Sequence, residues 1–392
     1  MEIGLAIKRV YHIFVRELYI MWRNPIYGFC AFVFPLLVAV FFTTLMKEGE
    51  PTDMPVGVVD QDNTPTTRAM IRKLDAFQTS HVVAHYANMN DARQAIQRNE
   101  IYAFLLIPKG TTDDLLSSRQ PKISFYYSSV TMVAGSLLFR DLKTIASLGS
   151  ANVGATKLAA LGKTSDEIKT FLQPINVDLH MVGNPWANYN IYLSTVMAPG
   201  VLMVFIFLLV PYSIGTELKF HRSRQWIRSA GDNIHIAIMG KVLPQTLIAC
   251  CVLLCYEFYI FYGLDFPHPG GIVPILVAGI LSVLACQCFG IFIFGLMPSL
   301  RMSMSICSLW SVVSFSVCGA TFPLNAMDPM IQSMGQLFPL RHFYMIYQMC
   351  IFNGYPLSYA WFNILALTVF LFLPAFTIRH IKTAMIKYEY IP

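Results

Sequence analysis

Apolar and polar positions fall into long separate blocks along this chain. A helix rises about 1.5 Å per residue, so a hydrocarbon layer of about 30 Å asks for roughly 20 apolar residues in a row. Six segments meet that length: Ile26 to Met46, about Leu193 to Ser213, Val242 to Leu264, Ile272 to Met297, Met302 to Phe322 and Leu357 to Ile378. Glu257 is the one charge inside them. The first run is too long for a secretory signal, and no small-x-small cleavage site follows Thr43-Thr44-Leu45-Met46, so it is expected to remain as a span. The pattern predicts an α-helical polytopic membrane protein with six transmembrane helices.

Between the first two runs, residues 47–192 change character. Short apolar runs at Val56 to Val59, Val82-Val83, Ile101 to Ile107 and Ile123 to Tyr127 read as strands. Asn63 or Thr64 followed by Pro65 reads as a helix start, Ala92 to Arg98 as a second helix, and Thr131 to about Leu161 as a long one with Leu138, Leu142, Ile145 and Leu148 on one face. This predicts an inserted α/β domain with a long helix returning toward the membrane. Fourteen basic and fourteen acidic residues cancel from Lys47 to Asp178, so the domain needs no charged partner.

Two further stretches stand out. In residues 1–25, Ile7, Val10, Ile13, Phe14, Leu18 and Met21 recur at helical spacing with Lys8, Arg9, Arg16 and Glu17 between them, which predicts an amphipathic helix in the interface, ended by Pro25. Residues 323–356 are apolar but broken by Pro323, Pro329, Pro339 and Pro356, which predicts two short re-entrant or interfacial helices.

Composition agrees with a membrane environment. Of 392 residues 55% are apolar and 13% charged, about half the charge density of a soluble domain, and the mean hydropathy is +0.54. The net charge of +6 is not a nucleic-acid footprint, because the basic residues sort by side. Lys8, Arg9, Arg16, Arg23, Lys219, Arg222, Arg224, Arg228, Lys241, Arg301, Arg379, Lys382 and Lys387 fall in segments on one side, against Arg341 alone on the other. The positive-inside rule then predicts both termini in the cytoplasm, residues 379–392 as a cytoplasmic tail, and residues 47–192 outside. The nine cysteines lie in or beside apolar runs, which argues for packing rather than disulfides or metal.

Three motifs in the inserted domain invite an enzymatic reading, and each fails on spacing. Asp60-Gln61-Asp62-Asn63-Thr64 fits a D-x-D-x-T phosphatase loop, but Lys109 and Asp113-Asp114 follow each other too closely to supply the remaining groups from separate strand ends. His81 and His85 would share a metal only on a helix, and Val82-Val83 between them favours a strand, which sets them about 13 Å apart. Gly162-Lys163-Thr164 has Lys157 where a phosphate loop needs glycine. No catalytic residue, metal site or ATP site is expected.

The order of parts resembles the ABC-2 type permeases of bacterial ABC exporters, in the multidrug-type subgroup with an external insertion. The likeness is carried by Pro55-Val56-Gly57-Val58-Val59-Asp60-Gln61-Asp62-Asn63-Thr64-Pro65, by Ile107-Pro108-Lys109-Gly110, by Gly240-Lys241-Val242-Leu243-Pro244 at the entry to span three, and by Phe322-Pro323-Leu324 through Phe338-Pro339-Leu340. Where the family often has E-x-E-x-G-T, this chain has Ile214-Gly215-Thr216-Glu217-Leu218-Lys219, with one acid left.

The resemblance implies a permease without its own ATP site that exports a hydrophobic or amphipathic, drug- or lipid-like substrate. Its partners would be cytoplasmic ABC ATPase subunits, which bind ATP and Mg, a second identical or different permease, and membrane lipid, with a periplasmic adaptor as a further candidate; no nucleic acid is implied. The location would be the inner membrane. The loop 214–241 would couple to the ATPase through Glu217, Arg222, Arg224 and Arg228, with Trp226 and Ile227 as apolar anchors. Gly240, Lys241 and Pro244 mark the span-three entry. Glu257, about 22 Å along its helix from Val242, would sit near the outer leaflet within reach of water and line the substrate path. The competing class is a membrane receptor or scaffold whose external domain binds a ligand, and the short cytoplasmic segments argue against it. A secondary transporter would usually show several intramembrane ionisable groups and an internal repeat.

Overall fold

The computed structural model describes every residue except 1, 46, 48, 118, 176–177, 179, 181–182, 185–187 and 389–392. The end of the first apolar run at residue 46 and the last four residues of the tail therefore lie outside the described residues. The chain divides into a helical unit, residues 1–47 with 181–392, and an α/β unit, residues 48–180.

The helical unit opens with α1 (Glu2–Arg23). Asn24 then caps the chain's re-entry into a helix by accepting from the Ile26 amide, with Pro25 at the first position. The first span, α2 (Pro25–Leu45), contains a π-helical turn at Phe29–Val33.

In the α/β unit, β1 (Met54–Asp60), α3 (Pro65–Asp75), β2 (Ser80–His85), α4 (Met89–Gln97), β3 (Ala103–Ile107), α5 (Thr111–Leu116), β4 (Ser124–Tyr127), α6 (Met132–Ala160) and α7 (Ser165–Leu172) follow in order. The sheet runs β2-β1-β3-β4, parallel except for the β3–β4 pair. Alternation along β1 decides its packing. Val56 and Val58 join Ile71 and Leu74 of α3 and Leu138 and Leu142 of α6, while Val59 joins Ala92 and Ala95 of α4 on the opposite face. Gly57 has no room for a side chain, since a Cβ there would lie 2.7 Å from the Tyr86 ring and 2.8 Å from Ile101 Cδ1.

The motifs that suggested enzymes are local structure. Asp60 accepts from the Asp62 and Asn63 amides and the Thr67 hydroxyl, a turn closed against the capping box of α3. His81 and His85 both lie on β2, and His81 Nδ1 sits 3.1 Å from Asp75 Oδ1. Thr164 caps α7 reciprocally with Glu167.

The helical unit resumes with α8 (Tyr189–Lys219), α9 (Ser223–Ser229), α10 (Ile234–Gly263), α11 (Ile272–Leu296) and α12 (Leu300–Val317), then α13 (Pro329–Gly335), α14 (Pro339–Ile346) and α15 (Leu357–Lys387). Among the described residues six helices are long and apolar enough to cross a membrane: α2, α8, α10, α11, α12 and α15. The central one is α8, packed by α2, α11 and α12. Gly290 of α11 lets that pair close up, since a Cβ there would stand 3.3 Å from Val210 Cβ. The outward faces keep large apolar side chains exposed, such as Leu36, Phe41, Leu309 and Phe376, as a lipid-facing surface does.

Two expectations are adjusted and one is narrowed. The last helix continues past Ile378 to Lys387, with a turn at Leu371 to Leu373 where Pro374 opens the second half. The second short helix in residues 323–356, α14, is buried among its neighbours through Leu340, Phe343 and Tyr344, which is compatible with the re-entrant alternative. In α1 the side that packs on α10 is Ile13, Glu17 and Met21, while Ile7, Tyr11, Leu18 and Trp22 stay exposed. Glu17 therefore belongs to the inward stripe, not to the polar side.

Candidate functional site

Four charged side chains from three helices meet inside the helical unit. Lys241, 1% exposed, donates from Nζ to Glu17 Oε1 and Glu217 Oε1, each at 2.8 Å. Arg16 donates from Nη2 to both oxygens of Glu217 at 2.9 Å and from Nη1 to Glu17 Oε1 at 3.2 Å. Lys241 Nζ also stands 5.1 Å from the centre of the Trp226 ring. Two positive and two negative charges cancel, which offsets the cost of burying Glu17, Glu217 and Lys241, while Arg16 stays 24% exposed at the edge of the cluster. Glu17 Oε2 and Trp226 Nε1 have no hydrogen-bond partner among the described residues.

The sequence assembles this cluster locally before packing completes it. Glu17 follows Ile13 and precedes Met21 by four residues each, so all three fall on one face of α1. Gly240 lets that face approach α10, because a Cβ there would lie 2.8 Å from Ile13 Cβ and 3.0 Å from the Val10 carbonyl. The next residue is Lys241, which the close approach delivers to Glu17. Pro244 has no amide to offer the Gly240 carbonyl, so the α-helical ladder of α10 skips a bond beside the cluster.

Glu217 lies at the end of α8. The Arg222 amide bonds the Glu217 carbonyl at 2.8 Å and His221 takes a left-handed φ of 54°, a helix-ending turn that hands the chain directly to α9. One face of α9 is then buried and the other open. Trp226 is fully buried and Ile227 is 1% exposed, whereas Arg224, Gln225 and Arg228 are exposed and Arg222 is half-buried. Arg224 Nε donates to the Ile386 carbonyl and Lys382 Nζ to the Asp232 carbonyl, so the end of α15 braces this helix on both flanks.

These positions correct part of the expected coupling surface. Glu217, Trp226 and Ile227 are consumed inside the chain, by paired charge and by the apolar core that also contains Ile214, Ile234 and Met385. They cannot be surface anchors for a partner. Arg224 and Arg228 remain exposed, while Arg222 is half-buried with its Nε inside. Of the three span-three entry residues, Lys241 meets Glu217 directly, and Gly240 and Pro244 flank it along α10. Glu17 and Arg16 were missed, although the four-residue spacing of Ile13, Glu17 and Met21 was a usable signal.

Glu257 stands apart, sixteen residues along α10 from Lys241, or about 24 Å. It is 2% exposed, and neither carboxylate oxygen has a hydrogen-bond partner among the described residues. A Cβ on Gly279 of α11 would lie 3.1 Å from its Oε2. Burial against α11 thus removes it from water within the chain, contrary to the expectation of aqueous access. Among the described residues no three metal-ligating side chains gather.

Six apolar spans, one inserted α/β unit and a charge-neutral cluster tying the first helix to two spans are the frame of a transporter's membrane subunit. The chain belongs to the ABC-2 family of transporter proteins, whose pattern matches residues 26–378. It is similar to the linearmycin resistance permease protein LnrN of Bacillus subtilis (strain 168), 19% identical over 354 residues that cover 85% of this chain and 89% of the relative. It is accordingly the membrane permease subunit of an ABC transporter, a class that works with an ATPase subunit.

Proposed function

We propose that this permease is the membrane half of an exporter that moves a hydrophobic or amphipathic, drug- or lipid-like molecule out of the cytoplasm or the inner leaflet, driven by ATP and Mg held on a separate ATPase. The observation that carries it is the family match across all six spans. The relative's role as a resistance permease supports export over import. The one-sided distribution of Lys and Arg supports cytoplasmic termini in an inner membrane, with α9 on the ATPase side and the α/β unit outside. A second permease completes the pathway, and a periplasmic adaptor would extend it across an outer membrane.

In this scheme Arg222, Arg224 and Arg228 meet the ATPase. The buried face of α9 carries the motion inward. Displacing Trp226 disturbs Lys241, and Lys241 holds Glu17 and Glu217, so α1, α8 and α10 respond together. Glu257 serves the substrate path only in a conformation that parts α10 from α11.

The test is transport in proteoliposomes holding the chain and its ATPase, with ATP supplied on the ATPase side. Accumulation of an amphipathic dye in the lumen is expected. ATP-driven release of preloaded dye toward the ATPase side would overturn the export direction.

A further inference from the structure

The two acids of the charge cluster are answered by Lys241 and Arg16, whereas Glu257 has no such answer. It is 2% exposed, and among the described residues neither a hydrogen bond nor an ion pair reaches its carboxyl. On the α11 side its wall is Gly279, where a Cβ would lie 3.1 Å from Oε2 and 3.2 Å from Leu254 Cδ2. On the α8 side the Tyr256 hydroxyl donates to the Ser194 carbonyl at 2.8 Å, so that donor is spent. Tyr347, 4% exposed, is within electrostatic reach, and its hydroxyl, beside Thr195 of α8, makes no hydrogen bond of normal geometry among the described residues.

The backbone on both sides is irregular. Glu257 stands two residues before the π-helical turn Tyr259–Gly263 of α10, and Tyr347 opens the π-helical turn Tyr347–Phe352 that continues α14. The Phe261 and Tyr347 rings stack 5.9 Å apart, so one turn rests on the other. Such turns are rare and recur at functional sites. The titratable groups around Glu257 are Tyr256 and Tyr347, with Tyr259 beyond Tyr256 and His268 against Phe261. His268 is occupied elsewhere, its Nδ1 standing 2.8 Å from the Phe266 carbonyl. Gly279, Ser194 and Thr195 bring no charge from α11 and α8. An ionised carboxylate sealed in apolar surroundings without a cation or a donor costs far more than the neutral acid.

We propose that Glu257 is a proton-binding site coupled to the contact of α10 with α11: its carboxyl is neutral while the two helices are together, and it gives its proton to entering water when they part. The O–H bond breaks, its electron pair stays on the carboxylate, and water carries the proton away. By mass action, fewer protons in solution favour the parted state and more favour the closed one. The parting rests on the transport reading above; the neutral carboxyl does not.

The test uses the full chain in phosphatidylcholine nanodiscs without ATP or partner, so its outcome is separate from that of the transport assay. Infrared spectra are recorded in neutral heavy water for wild type and Glu257→Gln, which keeps the shape of the neutral acid. The wild-type-minus-variant difference should show the carbonyl stretch of a protonated carboxylic acid and no carboxylate stretch. Hydrogen exchange across residues 250–263 and 272–285, corrected for intrinsic rates, should speed in wild type from neutral to alkaline solution. That rise should be lost in Glu257→Gln and in Glu257→Leu, which removes both oxygens. A carboxylate stretch in the neutral difference spectrum would overturn the proposal. So would an equal alkaline rise in all three proteins, or none in wild type.

Discussion

Replacing Lys241 with methionine removes one of the two positive charges that keep Glu17 and Glu217 in the interior. The unbranched side chain still reaches over Trp226, so the change is mainly electrostatic. Two bonds of 2.8 Å are lost and the cluster is left with one excess negative charge. Breaking a buried pair by deleting one partner costs about 3–5 kcal/mol, because the remaining charge stays desolvated. Glu17→Gln alone leaves the opposite imbalance, with a cost of similar size. The double variant restores neutrality, since Arg16 still donates to both oxygens of Glu217. Its cost should fall short of the sum of the singles by about 2 kcal/mol or more, at the upper end of couplings between residues in contact. The assay is unfolding of the full chain in dodecyl maltoside micelles titrated with sodium dodecyl sulfate, followed by circular dichroism. Single and double costs that add to within about 0.5 kcal/mol would show that these side chains do not act as one neutral cluster.

Gly240→Ala should loosen α1 from α10 by about 1–3 kcal/mol, because its Cβ would press on Ile13; faster hydrogen exchange along α1 is the readout. Leu138→Ala should cost the α/β unit about 2–5 kcal/mol and speed its proteolysis, as a fully buried leucine between α6 and the sheet. The Thr112 hydroxyl, with the Thr112 and Gly110 amides, holds the Asp62 carboxyl below the usual carboxylate range. A lowered folded-state value contributes stability at neutral pH that is lost as the pH falls through it, so exchange at those two amides, corrected for intrinsic rates, should rise below about pH 4. Asp62→Asn should abolish that rise.

The spans were legible because length and hydropathy alone define them: a charge-free run such as Ile272 to Met297 has no other place to go. The four strands were legible from short apolar runs, and of Asn63 and Thr64, both open as helix starts, Thr64 is the cap. The charge cluster was only half legible. Glu217 and Lys241 drew notice for their positions near span ends, yet Glu17 and Arg16 read as the polar side of an interfacial helix. That assignment failed because α1 has two apolar faces, one exposed and one packed on α10, and a single periodicity cannot rank them. Trp226 and Ile227 were misread for a related reason. An aromatic flanked by arginines looks the same in sequence whether it anchors a partner or its own core.

ATP hydrolysis by the purified permease, alone and then reconstituted with its ATPase in nanodiscs, tests most directly whether this chain is the membrane subunit of a two-part machine. No hydrolysis is expected from the permease by itself, and in the assembly a rate stimulated over that of the isolated ATPase, diminished when Arg224 and Arg228 are both changed to glutamate. Hydrolysis by the permease alone, or an ATPase whose rate ignores both its presence and those two arginines, would contradict it.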